Sequence, residues 1–323
     1  MARGVLLSFL RGIAVVVGVV TLTFLLLHLA PGDPVQRLLG PAATAEQLVT
    51  GRHNLGLDRP LIAQYGEWLA RAVQGDFGGS IAQGRPAARL LAEAWPATAV
   101  LILLSLALSW IFGILIGALQ ANTRRRGLDA SASALSVALN AMPSYWLGLA
   151  LVMVFTYQLR WLPAFGAAGV DADFLTGWSR VADRLRHLAL PLLTLTLIGI
   201  GGAARFSRAA MRAVAGAPFL AAARARGLPA RRVVLRHQLR NALVPIVTLL
   251  GLSLPAVFSG AVFVEAIFGW PGVGQVLVQA VQARDYPVVM AAATISAALV
   301  VAGNLLAELL VGVVDPRVRH AGA

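Results

Sequence analysis

The chain has 323 residues, 58% of them hydrophobic and only 13% charged, with a formal net charge of +13. So apolar a composition excludes an ordinary soluble domain and points to a membrane protein. All 27 basic residues are arginine and cysteine is absent, which excludes a lysine-bearing phosphate loop, Schiff-base chemistry, thiolate nucleophiles, disulfides and cysteine metal sites.

Residues 12–30 form the first expected span, preceded by Arg3 and Arg11. A cleaved signal peptide is the competing reading. The apolar run is longer than a signal core and lacks a clear small-x-small cleavage site, so a retained helix is expected. Residues 31–95 are polar, carry mixed charge and contain several turn signals. PGDP at 31–34 ends the span, 44–50 and 60–73 read as short amphipathic helices, and GDFGGS at 75–80 reads as a tight loop. This segment is large enough to fold as a cap on one membrane face.

Five further spans are expected at about 97–119, 134–159, 187–204, 241–264 and 286–314, each near or above the roughly 18–20 residues needed to cross a bilayer. Pro143, Pro191, Pro245, Pro255 and Pro287 lie in or near them, where proline kinks a helix and frees carbonyls. The domain reading is therefore 1–30 with the first helix, 31–95 as the extracytoplasmic segment, 96–315 as the five-helix core with a loop at 205–240, and 316–323 as the tail.

With the N-terminus in the cytoplasm, the inner segments carry 16 arginines against only Asp129 and Asp315, while the outer segments balance eleven arginines with eleven acids. That partition obeys the positive-inside rule and places both termini inside. The charge is thus a topology signal, and no nucleic-acid partner is expected. Glu308, inside the last span, reads as an interfacial group near Asn304, with a substrate role as the alternative. The five histidines show no metal-ligand spacing and no nucleophile elbow occurs, so neither a metal site nor a catalytic residue is expected.

The stretch 216–245, GAPFLAAARARGLPARRVVLRHQLRNALVP, organises the rest. Pro218 suits a first helical position, 220–226 are alanine-rich helix formers, Gly227 supplies a left-handed stop and Pro229 opens a second helix. A helix of about two turns, roughly 13 Å long, is too short to stand alone. Either it lies on lipid headgroups or it is a docking knob for a partner protein.

This stretch resembles the cytoplasmic loop of ABC-importer permeases, whose pattern is acidic-Ala-Ala, three residues, Gly, nine residues, then Ile-x-Leu-Pro. Ala222, Ala223, Gly227 and Leu239 agree, while Ala221, His237 and Arg240 replace the acidic residue, isoleucine and proline. The pattern AAARARGL…VLRHQLRNALVP is similar to the peptide-importer branch, which includes dipeptide, oligopeptide, glutathione and nickel systems. PGDP at 31–34, LGLDRPLIAQYGEWL at 55–69, GDFGGS at 75–80, HLALPLLTL at 187–195, EAIFGWPGVGQ at 265–275, RDYPVV at 284–289 and DPRVR at 315–319 extend the resemblance nearly end to end.

The resemblance implies an all-α integral inner-membrane protein of six transmembrane helices, with the type I permease fold and an extracytoplasmic segment after helix 1. It implies half of a translocation path for di- or oligopeptides, with a nickel or glutathione importer as the alternative. An ATP-independent channel or carrier is the reading from another class. The implied partners are a second permease subunit, two ATPase subunits holding ATP and Mg, an extracytoplasmic binding protein and the bilayer; this chain itself binds no cofactor. Phe219, Leu220, Ala221, Ala222, Ala223, Arg224, Arg226 and Gly227 are the expected coupling residues, with Phe219 and Leu220 filling an apolar pocket on the ATPase. Glu265, Trp270, Pro271 and Gly272 are candidates for an outer loop near a gate.

Overall fold

The computed structural model describes residues 2–123 and 125–314, with the backbone alone at 2–6, 244, 247–248, 251–260 and 306–314. The side chain of Glu308 and the DPRVR tail lie outside the described residues. All elements among the described residues are helical, apart from one isolated bridge between Gly79 and Pro86. The described residues divide into two compact units, one of residues 2–98 and 271–302, the other of residues 99–123, 125–270 and 303–314.

In the first unit, α1 (Ala2–Leu29) is the long apolar helix expected from residue 12 onward. Asp33 caps α2 (Pro34–Leu39), accepting the Val35 N–H at 2.9 Å. Thr44 and Gln47 form a reciprocal capping box at the start of α3 (Ala45–Asn54). Helix α4 (Leu61–Val73) begins just after Pro60. Asp76 then accepts the Gly78 N–H at 2.9 Å, and Gly75 and Gly78 take positive φ, which closes the GDFGGS loop.

Helix α5 (Ala87–Asn122) starts at residue 87, inside the expected polar segment 31–95. Pro86 supplies the start, and its carbonyl receives the Arg89 and Leu90 N–H groups. Helix α12 (Val273–Ala283) and helix α13 (Tyr286–Val314) as far as residue 302 complete the unit. One core joins Leu90, Leu91, Val288 and Val289; another joins Val20, Phe24 and Met290, flanked by Tyr65 and Trp68. Gly12 permits close approach of α1 and α13, since a Cβ there would stand 2.3 Å from Val301 Cγ1. Asp285, 2% exposed, accepts the Ser80 hydroxyl and the Ile81 and Ala82 N–H groups, binding the loop after GDFGGS to the start of α13.

In the second unit, the expected continuous span 134–159 is two helices, α6 (Arg126–Ala141) and α7 (Ser144–Val152), the latter extended by a π-helical turn at Met153–Gln158. The pair is bent by 102°. Met142 and Pro143 both have extended backbone, because proline disfavours helical geometry in the residue before it. Helix α8 (Gly177–Ala215) is far longer than the expected 187–204 and passes through Pro191 without ending. Then follow α9 (Pro218–Ala225), α10 (Ala230–Arg232), a second π-helical segment at Val233–Gln238, and α11 (Leu239–Phe268).

Small residues let α5 and α8 nearly touch. A Cβ on Gly113 would meet Ala203 Cβ at 2.4 Å, and one on Gly117 would meet Ala204 O and Arg208 N at 2.7 Å. In a bilayer, such close backbone approach replaces the hydrophobic force that water would supply. Ser109 adds a hydrogen bond to Thr196 O at 3.1 Å. Among the described residues, four helices are long and apolar enough to cross a membrane, or six spans if each bent pair counts as one.

Candidate functional site: the loop between α8 and α11

Helix α8 ends at Gly216, and Ala217 is extended with ψ 138°. Pro218 occupies the first helical position of α9, where its missing N–H costs nothing and its fixed φ favours the helix. The helix closes on Arg226, whose N–H reaches Ala222 O at 3.2 Å, and Gly227 follows at φ +73°. Gly227 N–H donates to Arg224 O at 2.9 Å and Leu228 N–H to Ala223 O at 3.3 Å, so the corner satisfies the last carbonyls of the short helix. Pro229 then starts the second helix as the sequence predicts, with ψ 142° at its N-cap.

The eight expected coupling residues divide into two faces. Phe219, Ala221, Ala222, Arg224, Arg226 and Gly227 are exposed. Leu220 and Ala223 are fully buried and pack with Val233, Val214 and Leu228. The expectation that Leu220 fills a partner's pocket is thereby corrected: three positions separate Leu220 from Ala223, so one helical face carries both and lays them on the chain itself. This internal core is what holds an otherwise unstable two-turn helix.

Two features of the loop escape sequence reasoning. Gln238, 1% exposed, donates through Nε2 to Met211 O at 2.9 Å, pinning the π-helical segment against α8. Asp129 on α6 accepts from Arg208 and from Arg212, the latter at 2.9 Å, through the same oxygen. A signal for this ion cluster does exist: arginines four apart share a helix face, and Asp129 is the one acid among the inner arginines before the tail. The π-helical segment leaves no comparable mark, since VVLRHQ reads equally well as α-helix.

The outer-loop candidates stand apart from this loop. Glu265 is fully buried and Trp270 is 7% exposed; the Trp270 N–H donates to Glu265 O at 2.9 Å around Gly269 at φ +59°. They lie at the far end of α11, whose 30 residues span about 45 Å. Pro271 is exposed and Gly272 buried, and the next N–H, from Val273, donates to Thr98 Oγ1 at 2.8 Å. No group of three or more potential metal-ligating side chains occurs among the described residues. What the loop offers is an exposed face of mixed small, aromatic and basic residues, joined to two long helices.

Residues 113–320 match the family described as binding-protein-dependent transport system inner membrane component, and residues 1–101 match its N-terminal companion. The chain is 37% identical to the oligopeptide transport system permease protein AppB of Bacillus subtilis over 99% of this chain and 100% of that protein. It is also 37% identical to the di/tripeptide transport system permease protein DppB of Pseudomonas aeruginosa, over 94% of each. Among solved structures, an inward-facing form of the MetNI methionine ABC transporter aligns at TM-score 0.54 and 17% identity, over 70% of this chain and 96% of that one. That likeness establishes the fold.

Proposed function

Since the chain belongs to the family of binding-protein-dependent transport system inner membrane components, and is a multi-pass permease subunit of an ABC importer, we propose that its cargo is a short peptide. The observation that carries this reading is the near full-length similarity to permeases of oligopeptide and di/tripeptide systems. The chain pairs with a second permease subunit, and an extracytoplasmic binding protein delivers the cargo. ATP is hydrolysed by two separate ATPase subunits, in keeping with a chain that has no lysine for a phosphate loop. Both termini lie in the cytoplasm, which puts the arginine-rich 205–240 loop on the ATPase side.

Coupling follows from mechanics. The exposed face of α9, with Phe219 protruding and Ala221 and Ala222 leaving room for close approach, docks on an ATPase. Arg224 and Arg226 face acids on that subunit. When the ATPases close, α9 moves as a rigid body, because Leu220, Ala223 and Val233 fasten it to the following segment and Gln238 fastens that segment to α8. Helices α8 and α11 then tilt together, which is alternating access by rigid-body motion.

The absence of cysteine allows a direct test. Ala222→Cys is the single thiol of this chain; crosslinking in native membranes followed by mass spectrometry identifies its neighbour. An ATPase subunit is expected. Attachment to lipid alone, with the protein correctly inserted, would overturn the docking role. Cargo is tested separately, by ATP-dependent uptake of a labelled di- or tripeptide into vesicles.

A further inference from the structure

The first unit carries a half-open cavity of about 380 Å³ that the coupling mechanism does not use. Its floor is aromatic and apolar: Phe24, Trp68, Phe77, Tyr286 and Met290 line it. The ring of Trp68 stands 6.4 Å from that of Phe77, and His28 lies, tilted to both, between Phe24 at 4.1 Å and Tyr286 at 5.3 Å. His28 is itself fixed by Phe24 O at 2.8 Å and Gln64 Oε1 at 3.2 Å.

The rim has the opposite character. Arg59, Glu67, Arg71 and Asp76 line the same cavity. Glu67 accepts Arg59 through one carboxylate oxygen, at 2.8 Å, and Arg71 through the other. Two guanidinium groups thus converge on a single carboxylate, each using one nitrogen of its fork. Their remaining N–H groups are suited to a second carboxylate, which guanidinium forks bind with charge-assisted hydrogen bonds. Asp76 uses Oδ1 for the Gly78 N–H, leaving Oδ2 for a cation.

We propose that this cavity binds a small zwitterion with a bulky apolar side chain, an amino acid or short peptide. The ligand carboxylate lies on Arg59 and Arg71, its ammonium group on Asp76, and its side chain on the floor of Trp68, Phe77 and Met290. Both charges are needed, because the rim balances Arg59 and Arg71 with Glu67 and Asp76 and so presents both signs. The volume fits such a ligand and lies at the small end of ligand pockets. The inference stands on the cavity walls and holds whichever cargo crosses the membrane.

The test uses membranes carrying the full chain and a photoreactive dipeptide, phenylalanyl-p-benzoylphenylalanine, without ATP. Labelling is expected on peptides containing Trp68, Phe77 or Met290. Unlabelled Leu-Phe should suppress it, while the acetylated, amidated Leu-Phe should compete about tenfold less well, as expected when charge-assisted bonds are lost. The double variant Arg59→Gln, Arg71→Gln should lose labelling at unchanged membrane yield. The competition comparison needs no variant and so does not depend on refolding. Labelling only within residues 99–270, or equal competition by the blocked peptide, would overturn the proposal. Peptide uptake that persists in the double variant would leave the import reading intact, so the two are separable.

Discussion

Gly227→Val is the sharpest perturbation of the proposed lever. Gly227 has φ +73° and no heavy atom within 4 Å of where a Cβ would stand. A side chain there meets open space within this chain, so its effect on the fold is conformational and not one of packing. Placing an L-residue in the left-handed region costs about 1–2 kcal/mol, and a β-branched residue costs more because such φ values are true outliers for it. At about 1.4 kcal/mol per factor of ten, the native corner is depleted about 5- to 30-fold in Gly227→Ala and further in Gly227→Val. Asn tolerates the left-handed region through local hydrogen bonding, so Gly227→Asn should restore most of the loss. The assay is ATP-dependent uptake in proteoliposomes holding the complete transporter, with ATPase copurification measured alongside. Expected activity runs wild type, Asn, Ala, Val in falling order. Equal activity of Val and wild type, or an Asn variant as poor as Val, would refute the argument that this backbone corner sets the exit angle of α9.

Further expectations address the packing. Leu220→Ala removes a fully buried side chain from the small core under α9 and should cost about 2–5 kcal/mol of local stability, read as faster proteolysis of the loop with the spans intact. Ala222→Arg alters only an exposed position and should abolish ATPase copurification while thermal unfolding in detergent is unchanged. Gly117→Val drives a side chain into the backbone of α8, where Ala204 O and Arg208 N lie 2.7 Å from the Cβ position; overpacking should cost about 1–3 kcal/mol or more and lower the unfolding temperature. Asp285→Ala strands the buried Ser80 hydroxyl, at about 1–3 kcal/mol for a buried donor left unmet, and releases the less buried Ile81 and Ala82 N–H groups, measured as lost stability and increased cleavage after residue 80.

Much of the loop between α8 and α11 is legible in the amino-acid sequence itself. Pro218, Gly227 and Pro229 act through backbone dihedrals, and those are properties of the residue alone. The apolar spans are legible for a similar reason: apolar length is a local quantity, set by bilayer thickness. The break at Met142–Pro143 is written in the same proline rule, and the sequence marks a kink there, yet the hydrophobic run across it suggests one span and not two helices bent by 102°. Apolar content records which residues avoid water and says nothing of where the axis bends.

Sequence alone thus determined the membrane class, the apolar spans, the partition of arginine and the start and stop of α9. Tertiary structure alone decided which side of α9 is free. Leu220 and Phe219 are adjacent, apolar and equally suited to a partner's pocket, but Val233 and Leu228 return after the Gly227 corner to cover Leu220 and leave Phe219 at 41% exposure. The same holds for Gln238 on Met211 O and for the cavity where Arg59 and Arg71 meet Trp68 and Met290. Arg59, Trp68 and Arg71 are near neighbours along the chain, but Met290 is distant from them in sequence, and only the fold brings it to the same cavity.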